Sequence, residues 1–186
     1  MTKQVKYGDI APEFNVKDVM GKAVSIKKYH PNSVLVVFLR YSGCPWCNLA
    51  LHRLTLEYEL LKKNNCNIVA FIQSNKEDVV ENIYKRHDKK PLFPIIADRE
   101  RAIYDLYAVS NSISAAVKSV TKIPYWIHAV KQHGYKQTSI DGNLFLVPAM
   151  FLVSGRTGKI LLASYGKSFY EHETFTKVYE QLGFID

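Results

Sequence analysis

Ser33-Val34-Leu35-Val36-Val37-Phe38-Leu39-Arg40-Tyr41-Ser42-Gly43-Cys44-Pro45-Trp46-Cys47-Asn48-Leu49-Ala50-Leu51 is the stretch on which the fold turns. The β-branched apolar run from Val34 to Leu39 has the length of one fully buried strand. Tyr41-Ser42-Gly43 is a polar break with a glycine, and Cys44-Pro45-Trp46-Cys47 follows it at the head of a long helical pattern. Proline suits the first position of a helix, which puts Cys44 at the N-cap and Cys47 one turn inside. Unpaired backbone N–H groups and the positive end of the helix dipole then face the Cys44 sulfur.

That placement has a chemical consequence. A free thiol has a pKa of about 8.5 and is only a few per cent thiolate at neutral pH. A helix N-terminus lowers that value, and Cys44 gains most, so Cys44 is expected to be the nucleophile. Cys47 is placed to attack a mixed disulfide or sulfenic acid formed on Cys44. The competing readings are half of a metal site or two inert core cysteines. A structural zinc needs about four ligands, and the sequence offers neither a second C-x-x-C nor a closely spaced histidine pair. The strand–Cys–helix context favours redox chemistry, with no metal and no cofactor.

The 186 residues fit a single domain over 1–186, and 47% hydrophobic content is enough for a sizeable core. Three cysteines do not make a disulfide framework; they suit a reducing compartment in which a disulfide is transient. With no apolar segment after Met1 and no run long enough to span a bilayer, the expected setting is cytoplasmic. The net charge of +8 raises the question of nucleic acid or a membrane surface. Its lysine pairs, Lys27-Lys28, Lys62-Lys63 and Lys89-Lys90, fall near expected element ends and read as a solvated basic surface, with neither partner implied.

Outward from the central stretch, residues 11–16 alternate like a half-buried strand, and a Gly21-Lys22 turn returns the chain through residues 23–26 as a hairpin. The cysteine helix runs to about Lys63, with Leu49, Leu56 and Leu60 expected on its core face. Residues 67–72 form a second buried strand, led by Cys66, a lone core cysteine. Ser74 and Glu77 form a capping-box pattern for a helix with Val79, Val80, Ile83 and Tyr84 inward. A short strand or extended link at 94–97 precedes a helix capped by Asp98. Another helical pattern covers 112–132, interrupted by Pro124. Residues 147–153 and 160–165 read as a late hairpin around a Ser-Gly-Arg-Thr-Gly-Lys turn, and a last helix covers about 171–182. This order is an α/β layer sheet, parallel early and antiparallel late.

With these segments in place, the chain resembles the thioredoxin fold, and more closely the peroxiredoxin-like branch of the alkyl hydroperoxide reductase/thiol-specific antioxidant superfamily. The resemblance is carried by Gly8-Asp9-Ile10-Ala11-Pro12-Glu13-Phe14, by Gly21-Lys22 before Val24-Ser25, by Phe38 through Leu49, and by Val147-Pro148-Ala149 with Gly158-Lys159-Ile160. It covers nearly the whole chain and weakens over 110–143. It implies a central mixed sheet with helices on both faces, an N-terminal β-hairpin extension and a helical insertion at about 110–143. It further implies a cis Val147–Pro148 bond close to Cys44, with Val147 and Pro148 binding an extended substrate or partner disulfide.

One departure from the family pattern stands out. Pro-x-x-x-Thr/Ser-x-x-Cys is missing: counted back from Cys44, the hydroxyl position holds Tyr41 and the proline position Val37. Ser42 is a hydroxyl at another offset, and Tyr41 offers a phenol. Arg40 has two readings, a group that stabilises a thiolate or peroxide oxygen and an arginine that snorkels from the strand end to solvent. Pro45 opens the helix, and Trp46 is expected to be an exposed contact surface. The function expected is a thiol-dependent antioxidant oxidoreductase acting on a peroxide or disulfide. Cys44 attacks, Cys47 resolves, and an external dithiol such as a thioredoxin reduces the Cys44–Cys47 disulfide. The alternative enzyme is a protein disulfide reductase without peroxidase activity. The alternative outside enzymology is a binding module using the basic 112–136 segment. A homodimer is the assembly left open.

Overall fold

The computed structural model describes residues 3–112, 127, 133–166 and 175–184. The helical pattern expected over 112–132 therefore lies almost wholly outside the described residues, as do the first four residues expected of the last helix. Elsewhere the element order is β1 (Asn15–Lys17), β2 (Ala23–Ser25), a 3-10 turn (Ile26–Tyr29), β3 (Ser33–Leu39), α1 (Pro45–Lys63) and β4 (Cys66–Ile72). It continues with α2 (Lys76–Val79), a π-helical turn (Val80–Tyr84), β5 (Ile95–Ala97), α3 (Ala102–Leu106), β6 (Ala149–Val153), β7 (Ile160–Tyr165) and α4 (Phe175–Leu182). β1 and β2 form a separate hairpin, and the main sheet has the order β5-β4-β3-β6-β7. β3, β4 and β5 are parallel, whereas β6 and β7 are antiparallel additions.

β3 lies at the centre, and its alternating side chains feed two cores. Leu35, Val37 and Leu39 pack with Cys47, Leu51, Leu54 and Leu61 of α1 and Val178 of α4 on one face. Val34, Val36 and Phe38 pack on the other face with Phe14, Val24, Phe71, Tyr104 and Phe151. Helices thus cover both faces, as expected of a thioredoxin-like α/β fold.

Three local expectations are corrected. The buried stripe of α1 is Cys47, Ala50, Leu51, Leu54, Tyr58 and Leu61; Leu56 and Leu60 are 53% and 48% exposed. Leucines lie on several sides of this helix, and the stripe that continues from Cys47 is the one that meets the sheet. Ser74 does not cap α2, whose N-cap is Asn75 without a side-chain bond. Its hydroxyl instead accepts the Ser42 N–H at 2.8 Å, so a tertiary partner outcompetes the local one. The cis peptide bond among the described residues is His30–Pro31, not Val147–Pro148. Pro148 sits just before β6, where a proline without N–H costs the ladder nothing and an ordinary bond suffices.

Asp98 does serve α3. Its carboxylate accepts the N–H groups of Ala102 and Ile103 at 3.0 and 2.8 Å. The buried Tyr104 that follows donates its hydroxyl to the Leu39 carbonyl, pinning the last residue of β3 just where the cysteine loop begins.

Candidate active site

The loop from Arg40 to Cys44 is set by what surrounds it. The Arg40 carbonyl accepts from Gln73 N–H at 2.8 Å, tying the loop to the end of β4. Cys44 N–H donates to the Tyr41 carbonyl at 3.1 Å, closing the turn. Cys44 has the extended backbone of an N-cap, with Pro45 as the first helical residue. Both Cys44 and Cys47 are 1% exposed, and all three cysteines are free thiols.

Burial alone would push the Cys44 thiol up. Opposing it are a hydrogen bond from the Cys47 thiol, the Arg40 guanidinium and the backbone N–H groups of Cys47 and Trp46. Together they win and bring the Cys44 pKa down to about 7. Arg40 is itself 5% exposed, so the snorkelling alternative fails: Nη1 lies 3.7 Å from the Cys44 sulfur, and Nη2 donates to the Leu144 carbonyl at 2.7 Å. Burial raises Cys47 well above the ordinary thiol range, and its bond to an anionic Cys44 holds its proton further. Of the two neighbouring thiols, Cys44 is the one that ionises first and Cys47 the one that keeps its proton. Cys66, fully buried on β4, is pushed up to about 12 by burial and belongs to the core.

Tyr41 is 2% exposed; burial, then the neighbouring Cys44, raises its phenol to about 12, and it donates to Gln137 Oε1 at 3.1 Å. Trp46 is half-buried and packs against the core beside the cysteines, rather than standing out as a contact surface. An indole one residue into a helix whose base is buried has a core wall to lie on. Val147 and Pro148 are buried next to β6, whose Ala149 pairs with Phe38. Val147 N–H donates to Ser110 and the Pro148 carbonyl accepts from Gly166, so these two groups already have partners.

Sequence reasoning missed Asn48 and the residues behind it. Asn48 is 1% exposed; its Nδ2 donates to the carbonyls of Ser42 and Cys44 at 2.7 and 3.0 Å. Its Oδ1 must then accept from His87 Nε2–H, 2.7 Å away. Burial, followed by the nearby His52 and Arg86 charges, lowers the His87 pKa to about 4, which keeps the ring neutral. Its bare Nδ1 receives the Tyr135 hydroxyl at 3.4 Å, and that oxygen meets His52 Nδ1 at 3.2 Å. A polar residue four positions after Cys44, on the stripe that carries Cys47 and Leu51, was the available signal for Asn48. Nothing in the sequence pointed to His87. Among the described residues, no group of three or more His, Cys, Asp or Glu side chains is placed to hold a metal ion.

The AhpC/TSA family model matches residues 7–154. The chain belongs to the AhpC/TSA family. Among relatives of this AhpC/TSA chain, a 1-Cys peroxiredoxin of Dictyostelium discoideum is 29% identical over 108 residues, covering 56% of this chain and 45% of that protein. The thiol-disulfide oxidoreductase ResA of Bacillus cereus is 28% identical over 109 residues, covering 58% of this chain and 60% of ResA. The match thus spans about half the length of these relatives. Among solved structures, a mutant of the peroxiredoxin 6 of Arenicola marina superposes with a TM-score of 0.70 at 14% identity, covering 96% of this chain and 72% of the other. At that identity the likeness shows the fold alone.

Proposed function

We propose that the chain is a thiol-dependent antioxidant oxidoreductase of the peroxiredoxin type. The observation that carries the reading is the Cys44 sulfur: an N-cap thiolate held by Arg40, two backbone N–H groups and the Cys47 thiol. The Cys44 thiolate attacks one oxygen of a hydroperoxide, the O–O bond breaks, and the departing alkoxide takes a proton to leave as alcohol or water. Cys44 becomes a sulfenic acid. The Cys47 sulfur then attacks it, releasing water and forming the Cys44–Cys47 disulfide. Two thiols of an external dithiol return the pair to the reduced state and leave oxidised. Arg40 orients and charges the site, Pro45 and Trp46 fix the first helical turn, and Tyr41 holds its proton and anchors a covering loop. Such a cycle suits a cytoplasmic, reducing compartment and one domain over residues 1–186.

Protein disulfide reduction without peroxidase activity is the second reading. The missing hydroxyl in the family's proline-to-cysteine motif and the ResA relatives favour it. Stopped-flow oxidation of the reduced protein by hydrogen peroxide separates the two. A rate well above that of a simple thiol supports the peroxidase; a rate no faster removes it.

A further inference from the structure

The segment after the undescribed part of the insertion runs across the cysteine loop without regular structure of its own, from Tyr135 to Leu146. It is fastened there at separate points. Tyr41 donates to Gln137 Oε1 at 3.1 Å, and Thr138 N–H donates to the Gly43 carbonyl at 3.2 Å. The Thr138 hydroxyl donates to Asn82 Oδ1 at 2.8 Å, and Asn82 in turn donates to the Ser42 hydroxyl at 3.0 Å. Further along, Asn143 N–H donates to Gln73 Oε1 at 2.9 Å, and the Leu144 carbonyl receives Arg40. Gly43 permits the close approach, since a Cβ there would strike the Ser139 carbonyl and the Thr138 hydroxyl. Beneath this strap Cys44, the attacking residue, is 1% exposed.

A thiolate reaching a disulfide must meet the partner's sulfur in line, with that partner's flanking backbone and side chains drawn up beside it. In the reduced state a folded or extended protein cannot bring that bulk to Cys44, a residue 1% exposed. A hydroperoxide needs to deliver only two bonded oxygens. We propose that the 135–146 strap is a size filter on the reduced protein that makes the free Cys44 selective for small hydroperoxides over protein disulfides. This rests on the reading of Cys44 as the nucleophile and names the substrate class of that same site. The oxidation it admits is the one written above: the O–O bond is reduced, Cys44 is oxidised to sulfenic acid, and Cys47 expels water.

Two measurements test it. In a Cys47→Ser background, Cys44 is alkylated by iodoacetamide and by a maleimide carrying a polyethylene glycol chain. The large-to-small rate ratio for the folded protein should be far below the ratio for the same protein in denaturant. Gln137→Ala with Thr138→Ala removes two fastenings and should raise the large-reagent rate about tenfold or more, since each ordinary hydrogen bond lost shifts an open–closed balance several-fold. In the two-cysteine protein the same pair of substitutions should raise single-turnover oxidation by insulin, as a protein disulfide, by a similar factor. Oxidation by hydrogen peroxide should stay within about twofold, because the filter already admits it. Equal ratios in folded and denatured protein, or insulin oxidation of the unsubstituted protein as fast as that of the variant, would overturn the filter. A normal size ratio with no acceleration by hydrogen peroxide would instead overturn the peroxidase reading and leave the filter standing on alkylation alone.

Discussion

Replacing Arg40 by methionine removes the guanidinium 3.7 Å from the Cys44 sulfur and keeps an apolar stem. At that separation a unit-charge pair in an effective dielectric of about 20 interacts by about 4 kcal/mol, an upper bound because desolvation of the arginine opposes it. Deleting one hydrogen bond to a charged group costs about 1.5–3 kcal/mol, and about 1.4 kcal/mol corresponds to a pKa change of one. The Cys44 pKa should therefore climb by about 1–2 from its value of about 7, with the Trp46 and Cys47 donors still in place. A rise of about 1.5 cuts the thiolate fraction at pH 7 about fifteenfold. Each remaining thiolate is more nucleophilic, however, and a Brønsted slope of about 0.4–0.5 returns about fivefold. The net loss at pH 7 is only about threefold, while the alkaline plateau rises about fivefold. The assay is the pH profile of iodoacetamide alkylation, mapped to Cys44 by mass spectrometry. Crossing profiles with a displaced midpoint are expected. A midpoint that stays in place would refute the assignment of Arg40, whatever happened to the absolute rate.

Cys47→Ser should react once with peroxide and stop as a Cys44 sulfenic acid, one oxygen heavier by intact mass, whereas Cys44→Ser should gain nothing; an unstalled Cys47→Ser would remove its resolving role. Asn48→Ala leaves the carbonyls of Ser42 and Cys44 and the His87 Nε2–H without their partner. It should cost about 2–4 kcal/mol in urea unfolding, and a loss under about 0.5 kcal/mol would contradict the bonding described. His87 has a folded pKa of about 4 against 6.5 when free, so the unfolded chain binds the extra proton between those values. Its contribution is complete above the free value and is lost as pH falls toward the folded one, by about 3 kcal/mol. Urea midpoints from pH 7 to about 4.5 should decline less steeply in His87→Gln, and parallel declines would count against a neutral buried ring.

Much of the centre of this protein was legible because its signals are local. The apolar run of β3, the glycine break and Pro45 after Cys44 specify strand, turn and helix within a dozen residues, and the N-cap position of Cys44 follows from them. The late hairpin was equally local, its turn residues lying between two apolar runs. What escaped is non-local. Ser74 had a capping motif beside it, but Ser42 reached it from 32 positions away. Arg40 could not be resolved from sequence because its partners are a sulfur four residues on and a carbonyl 104 residues on. The α1 face was misread because Leu49, Leu56 and Leu60 have helical spacing too, and only the sheet decides between leucine stripes. The Val147 N–H and the Pro148 carbonyl likewise have partners remote in sequence, Ser110 and Gly166, that no local signal announced.

The two-sided burial of β3 sets where this molecule is hardest to open. Every residue of the strand after Ser33 is buried, with β4 paired along one edge and β6 along the other. Amide protons of such a strand exchange only when the whole domain comes apart, whereas loops held by isolated bonds open at a fraction of that cost. The reactive sulfur sits five residues beyond the end of that strand, and the segment that covers it is held by isolated bonds. Access to Cys44 and integrity of Cys44 are therefore governed by different free energies. Moderate heat or denaturant should raise the first well before it touches the second.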